Sequence, residues 1–147
     1  MFEEGNIIYF TPYYFPNRNS APKAKYFVVL KLKGEDTILA ALPTSKDQVP
    51  EKDEIEQGCV ELPNINFNCF VISNNTTVTE CGKSFSRPTF IYGSQISTHE
   101  ISLLNNLYQI EGVDYTIFGK MEKNIFEDLI LCLKTSRTVK RKYKRML

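Results

Sequence analysis

Two adjoining apolar runs, Tyr26 to Leu32 and Thr37 to Leu42, are the feature that most limits the fold of this chain. Both are rich in β-branched and aromatic residues, and the polar segment Lys33-Gly34-Glu35-Asp36 separates them. Such residues favour pleated, half-buried strands, and a short glycine-containing segment between two strands is typical of a hairpin. The pattern therefore predicts two antiparallel strands joined by a tight turn.

Further short segments of the same kind surround this hairpin. We predict strands near residues 5–10, 60–62, 69–73, 76–79, 89–92 and 115–118, separated by turns that contain Asn, Gly or Pro. A chain of 147 residues fits one domain, and its 10 Phe and 8 Tyr suit β structure. The expected fold is mainly β, a small barrel or sandwich.

Two helices are predicted beside these strands. Ser97-Thr98-His99-Glu100 has the form of a capping box, and the apolar residues after it recur at helical spacing. From Ile125 to Leu133 apolar residues again repeat at three- and four-residue steps, which predicts an amphipathic helix. We expect residues 1–133 to form one domain and residues 134–147 to be a basic helix end or tail.

The net charge of +1 hides a strong asymmetry. All 17 acidic residues lie at or before Asp128, whereas seven bases fall between Lys134 and Arg145. A basic tail on an acidic body is typical of an arm for nucleic acid or an acidic partner, and the alternative is a solvated helix end.

The sequence lacks the residue patterns that several classes of function require. The four cysteines show no C-x-x-C spacing, and one histidine leaves too little for zinc, so we expect reduced thiols, no metal and no cofactor. There is no Gly-rich phosphate loop and no nucleophile motif. Neither a signal peptide nor a membrane-spanning run is present, so we expect a cytoplasmic protein that does not enter a membrane.

The predicted hairpin brings together the residues best suited to chemistry. Lys25 precedes Gly34 by nine residues and Thr44 follows it by ten, so the two lie near the same end of the sheet. A lysine beside the hydroxyls of Thr44 and Ser45 can hold a phosphate, and Lys23 and Lys46 add charge. The plainer interpretation is a solvent-facing lysine and an ordinary turn.

The loop before Lys23 adds candidates for nucleic-acid contact. It interleaves Tyr13, Tyr14 and Arg18 with three prolines. The tyrosines could stack on unpaired bases, at roughly 1–3 kcal/mol per base, or pin the loop to its own domain.

The order of several motifs resembles the MazF/PemK/Kid toxins. Gly5-Asn6-Ile7-Ile8, Lys25-Tyr26-Phe27-Val28-Val29 and Pro43-Thr44-Ser45 are similar to the family's Gly-Asp-Ile-Val, Arg-Pro-apolar-Val-Val and Thr-Ser segments. Ser94-Gln95-Ile96-Ser97-Thr98 resembles its Asp-Gln-x-Arg-Thr segment, and Phe118-Gly119-Lys120-Met121 resembles its closing Gly-Lys-Leu. The likeness covers most of the chain except the acidic loop and the basic tail.

The resemblance implies an SH3-like barrel, usually a homodimer, that cleaves single-stranded RNA without a metal and is silenced by an antitoxin. Lys25, Thr44 and Ser45 then form the catalytic set. Lys23, Lys46, Tyr13, Tyr14, Arg18 and Gln95 are the expected RNA- or phosphate-binding residues. The cluster from Lys23 to Lys46 also resembles the type III toxin ribonucleases, whose antitoxin is RNA instead of protein.

Tyr92 and Ser94 depart from the pattern, because some family members carry Arg and Asp at these positions and only Gln95 matches. Two alternatives to a ribonuclease therefore stay open. One is an inactive MazF-like domain that binds RNA or protein, and the other is an SH3-like protein-interaction module.

Overall fold

The computed structural model describes residues 1–16, 19–42 and 56–147. Within these ranges the chain forms eight strands and three α-helices, and the prediction of a mainly β fold is confirmed. The strands are β1 (Asn6–Tyr13), β2 (Lys23–Lys33), β3 (Asp36–Ala41), β4 (Gly58–Leu62), β5 (Phe67–Ile72), β6 (Thr89–Tyr92), β7 (Ile96–Glu100) and β8 (Tyr115–Lys120). The helices are α1 (Ile101–Leu107), α2 (Lys123–Thr135) and α3 (Arg141–Met146).

Five of the strands form one open antiparallel sheet in the order β7-β3-β2-β1-β8. The predicted hairpin is confirmed, since Lys33 pairs with Asp36 across the turn between β2 and β3. Gly34 has a φ of 62° in this turn, a backbone conformation that glycine adopts without a steric penalty. β2 occupies the centre of the sheet, between β1 and β3.

A second antiparallel sheet has the order β4-β5-β6. Its strands agree with the predictions near residues 60–62, 69–73 and 89–92. The strand predicted at residues 76–79 is absent, because this segment makes only single bridges, Thr77 to Ser84 and Thr79 to Met121.

The main core lies between the two sheets and beneath α2 and α3. Along β2, Val28 and Leu30 point into it, whereas Phe27 and Val29 pack into a second core on the opposite face, beneath α1. All four side chains are buried. A strand that is apolar on both faces needs cover on both, which the second sheet and the helices provide.

The capping-box prediction is wrong. Ser97–Glu100 belongs to β7, which pairs with β3, and α1 begins at Ile101 with no side-chain cap. Pairing with β3 gives the backbone N–H and C=O groups of these residues hydrogen-bond partners. At the start of a helix, the N–H groups would have lacked such partners. Ser97 Oγ instead lies 2.7 Å from His99 Nε2, and burial lowers the pKa of His99.

The basic end of the chain folds back onto the domain. α2 ends at Thr135, and α3 follows after a short connection. Val139 and Tyr143 are both buried in the main core, so this segment belongs to the packed structure. None of the helices in the described ranges is long and apolar enough to cross a membrane.

Two of the cysteines do not match the expectation of reduced thiols. Cys59 in β4 and Cys132 in α2 form a disulfide across 73 residues, and Cys69 and Cys81 are not part of a disulfide. The pair meets because α2 packs on the three-stranded sheet, a contact that cysteine spacing does not reveal.

Removing this disulfide should lower the stability of the protein. Substituting Cys59, the exposed cysteine of the pair, should do so with little loss of packing. We expect Cys59→Ser to reduce the free energy of unfolding by about 4 kcal/mol, because a crosslink over a long loop restricts the unfolded chain. Urea unfolding measures the difference, with Cys81→Ser as the matched exposed-cysteine control. Four titratable thiols in the denatured, non-reduced protein would contradict the crosslink.

Candidate nucleic-acid interface

Two predicted site residues, Lys23 and Lys25, lie at the start of β2, where the apolar run begins. Lys25 pairs with Phe10 and is half-buried, and Lys23 pairs with Tyr13 and is exposed. The Nζ atom of Lys25 lies 5.2 Å from the ring centroid of Phe15. It lies 5.9 Å from that of Phe27, and Lys23 Nζ lies 5.9 Å from that of Phe15. These cation–π contacts hold two positive charges above one aromatic surface.

That aromatic surface belongs to the second core. Tyr13 packs against Phe15, Phe27 and Tyr108, with ring centroids 5.2, 4.7 and 6.3 Å away. Tyr13 is only 5% exposed, so its ring supports the surface from below. Tyr14 is 49% exposed, and its ring offers a face to solvent. Of the two tyrosines predicted to contact RNA, Tyr14 is therefore the one that a base can reach.

Tyr108, which follows α1, holds the loop that carries Tyr14. The backbone N–H of Tyr14 donates a hydrogen bond of 2.9 Å to the Tyr108 hydroxyl, and the two rings stack at 6.0 Å. In the sequence, Tyr108 is simply one of the apolar residues that follow Glu100 at helical spacing. Spacing gives no signal for its role, because 94 residues separate the two partners.

Burial also changes the chemistry of this cluster. Desolvation, with a smaller contribution from Tyr108, raises the pKa of Tyr13 to about 12. Burial likewise raises the pKa of Tyr108. Both phenols are thus neutral at physiological pH and act as apolar surface and hydrogen-bonding groups, not as bases.

The partner strand reaches the same end of the sheet. Phe27 pairs with Ala41, and the Leu42 N–H donates to the Tyr26 carbonyl at 3.0 Å. The chain therefore leaves β3 beside the residue that follows Lys25. The remaining predicted residues of this region, Thr44, Ser45, Lys46 and Arg18, lie outside the described residues.

Gln95 lies on the other side of β3, at the end of the 3₁₀ turn Gly93–Gln95, and is exposed. Ile96, the next residue, pairs with Ala40, which pairs with Val28 on the far side. Gln95 is thus at the same end of the sheet as Lys25. Tyr92 packs against Phe67 and Phe90, with ring centroids 5.9 and 6.2 Å away, which places it in a separate apolar cluster.

The arrangement suits a ligand that is both anionic and aromatic. Lys23 and Lys25 can contact phosphates, and Tyr14 can stack on an unpaired base. In the described part of the chain, no group of three or more His, Cys, Asp and Glu side chains is placed to hold a metal ion.

Comparisons of the chain with protein-family models, curated proteins and solved structures gave no match.

The raised pKa of Tyr13 gives a testable pH dependence. A phenol with a folded-state pKa of about 12 and an unfolded value near 10 favours the folded state fully below pH ~10, and this contribution is lost as the pH rises towards 12. We expect stability to fall over this window, and Tyr13→Phe to remove part of the fall. Urea unfolding between pH 9 and 11.5 tests it, with exposed Tyr14→Phe as control. An unchanged pH profile in Tyr13→Phe would contradict the assignment.

Proposed function

We propose that this chain is a metal-independent endoribonuclease of the toxin–antitoxin type that acts on single-stranded RNA, with an SH3-like barrel of the MazF kind. One observation carries the proposal. Lys25 stands near the start of β2 over aromatic rings, beside the point where β3 leads into the sequence Pro43-Thr44-Ser45-Lys46. A cation level with the point where the chain enters a hydroxyl-rich sequence suits a scissile phosphate.

The aromatic surface supports single-stranded RNA as the substrate. Unpaired bases have free faces, and the exposed ring of Tyr14 could stack on one, since the Tyr14 backbone N–H bonds to the Tyr108 hydroxyl and the two rings stack on each other. Bases within a duplex are already stacked on each other and are not available for such a contact. Lys23 and Gln95, which lie at the same end of the sheet, would contact the backbone or a base edge of the same strand.

The proposed reaction is cleavage by the 2′-hydroxyl of the RNA. Its oxygen loses a proton and bonds to the adjacent phosphorus, the bond to the 5′-oxygen breaks, and that oxygen takes up a proton. The products are a 2′,3′-cyclic phosphate and a 5′-hydroxyl. The step consumes no water, and in this proposal it needs no metal ion. Lys25 stabilises the charge on the pentacovalent phosphate, while Thr44 and Ser45 position it and Lys46 adds charge.

The same proposal includes a homodimer and an antitoxin, either protein or RNA. Its substrate is met in the cytoplasm, the compartment that we propose for the chain. Thiols are kept reduced there and disulfides are rare, so the bond between Cys59 and Cys132 argues against this part of the proposal.

A second candidate function is binding of single-stranded RNA without cleavage. The position of Tyr92 favours it, because this side chain, where some toxins carry Arg, packs against Phe67 and Phe90. The proton donors and acceptors of the reaction would then be incomplete, while Lys25 and Tyr14 would still bind the strand.

Cleavage of mixed-sequence single-stranded RNA in EDTA is the direct test of the enzyme. We expect 5′-hydroxyl and cyclic-phosphate ends, and a loss of at least about 100-fold in rate for Lys25→Ala and for Thr44→Ala, because each removes a group that stabilises or positions the phosphate. The rate of each variant is measured on one labelled RNA at saturating protein.

Lys33→Ala is the matched control, since Lys33 lies on the same strand at the opposite end and is exposed. Intact RNA after long incubation, together with retention of the strand, would replace the enzyme by the binding function. If the protein neither cleaves nor retains the RNA, both the enzyme and the RNA-binding function are wrong, and a protein-interaction module is favoured.

A further inference from the structure

We propose that a basic surface made by Arg137, Lys140 and Arg141 binds the phosphate backbone of the same RNA strand that reaches Lys25. This inference rests on the proposed binding of single-stranded RNA and adds a second contact region to it. The three side chains lie in the segment between α2 and α3 and at the first residue of α3, and all three are exposed.

The charges of this surface are not neutralised within the described part of the chain. The ion pairs found there join Lys31 to Glu4 and Lys123 to Glu127, and neither includes a base of the C-terminal segment. Two neighbouring lysines are engaged otherwise, since Lys144 donates to the Ser136 carbonyl at 2.7 Å and Lys142 lies over the Tyr143 ring. Five bases of the segment, Lys134, Arg137, Lys140, Arg141 and Arg145, are exposed and outside these contacts, and the three that lie between α2 and the start of α3 form the proposed surface.

A partly buried polar network holds the segment in place. The hydroxyls of Ser136 and Thr138 donate to Glu61 Oε1 at 3.1 and 3.3 Å. The backbone N–H groups of Thr138 and Val139 donate to Ser136 Oγ at 3.0 and 3.2 Å. The Glu61 carboxylate therefore accepts hydrogen bonds from hydroxyls of the segment and, among the described residues, forms no ion pair with its bases. These bonds fix the backbone that carries the bases, so little further ordering is needed when a ligand binds.

Gly93 connects this segment to the candidate nucleic-acid interface. A Cβ atom at Gly93 would lie 2.6 Å from Val139 Cγ2 and 2.5 Å from Asn68 Oδ1, so the absence of a side chain lets the segment approach. Gly93 begins the turn that ends at Gln95. The basic segment thus packs against the turn that carries Gln95.

This continuity favours RNA over an acidic protein as the ligand. Ser94 and Gln95 in this turn are exposed and offer neutral hydrogen-bonding groups to a sugar or a base. Arginine grips phosphate with two parallel N–H donors, and a strand that crosses the sheet end would meet lysines first and arginines later.

Binding of a 2′-O-methyl oligonucleotide of mixed sequence tests the surface without cleavage, because the oligonucleotide lacks the nucleophile. We expect the triple variant Arg137→Gln, Lys140→Gln, Arg141→Gln to bind at least about ten-fold more weakly at low salt. The slope of log K against log salt should decrease by about 2, since each phosphate contact on a single strand contributes ~0.7.

The control variant is Lys33→Gln, Lys120→Gln, Lys123→Gln, which changes net charge equally at exposed positions away from the interface. Its salt slope should match that of the wild type. An equal loss in both triple variants would overturn the inference, because net charge alone would then explain binding.

Failure of this inference is distinct from failure of the proposed function. If the wild type binds and Lys25→Ala weakens binding, but the C-terminal triple variant behaves like its control, only the second surface is lost. If the wild type does not bind the oligonucleotide, the proposed function fails as well. Capture of polyglutamate in place of RNA by these three bases would mark the surface as one for an acidic protein.

Gly93→Ala tests whether the bases act from a fixed position. The added methyl group should displace Val139 and weaken oligonucleotide binding several-fold with no change in charge. In the triple-variant background the same substitution should have little further effect, since effects carried by shared residues are not additive. Equal losses in both backgrounds would contradict a role through the basic segment.

Discussion

The central strand β2 is the constraint on which the rest of the structure depends. It hydrogen-bonds to β1 on one side and β3 on the other, and buries Phe27 to Leu30 against two different cores. Burial of a side chain of this size contributes about 1.5–3 kcal/mol, so neither face of the strand can be left in water. The three-stranded sheet, α2 and α3 cover one face, and α1 covers part of the other.

The candidate interface lies where this burial stops. Towards its first residues β2 changes from apolar to basic, and Lys23 and Lys25 extend past the end of the second core. Their charged Nζ atoms lie over the rings of Phe15 and Phe27 at the rim of that core. A stable core edge therefore becomes a surface that is both aromatic and positive, the combination on which the RNA proposal rests.

Long-range contacts explain why the basic segment is part of the domain instead of a free tail. Glu61 in β4, Asn68 in β5 and Gly93 after β6 all meet residues 132–139. Packing of Val139 and Tyr143 adds apolar burial to these polar contacts. The same packing of α2 on the three-stranded sheet brings Cys132 to Cys59, which the expectation of reduced thiols did not anticipate.

The sequence alone determined the hairpin, most of the strands and the amphipathic helix α2, because alternation, turn residues and helical spacing are local properties of the chain. It also located the lysines at the strand end. It failed at Ser97–Glu100, where pairing with β3 outweighed a local capping pattern. Only the tertiary structure decided that Tyr13 is buried while Tyr14 is exposed, that the Tyr14 backbone bonds to Tyr108, and that the segment carrying the C-terminal bases packs against Gly93. These outcomes depend on contacts between residues far apart in the chain, for which spacing carries no information.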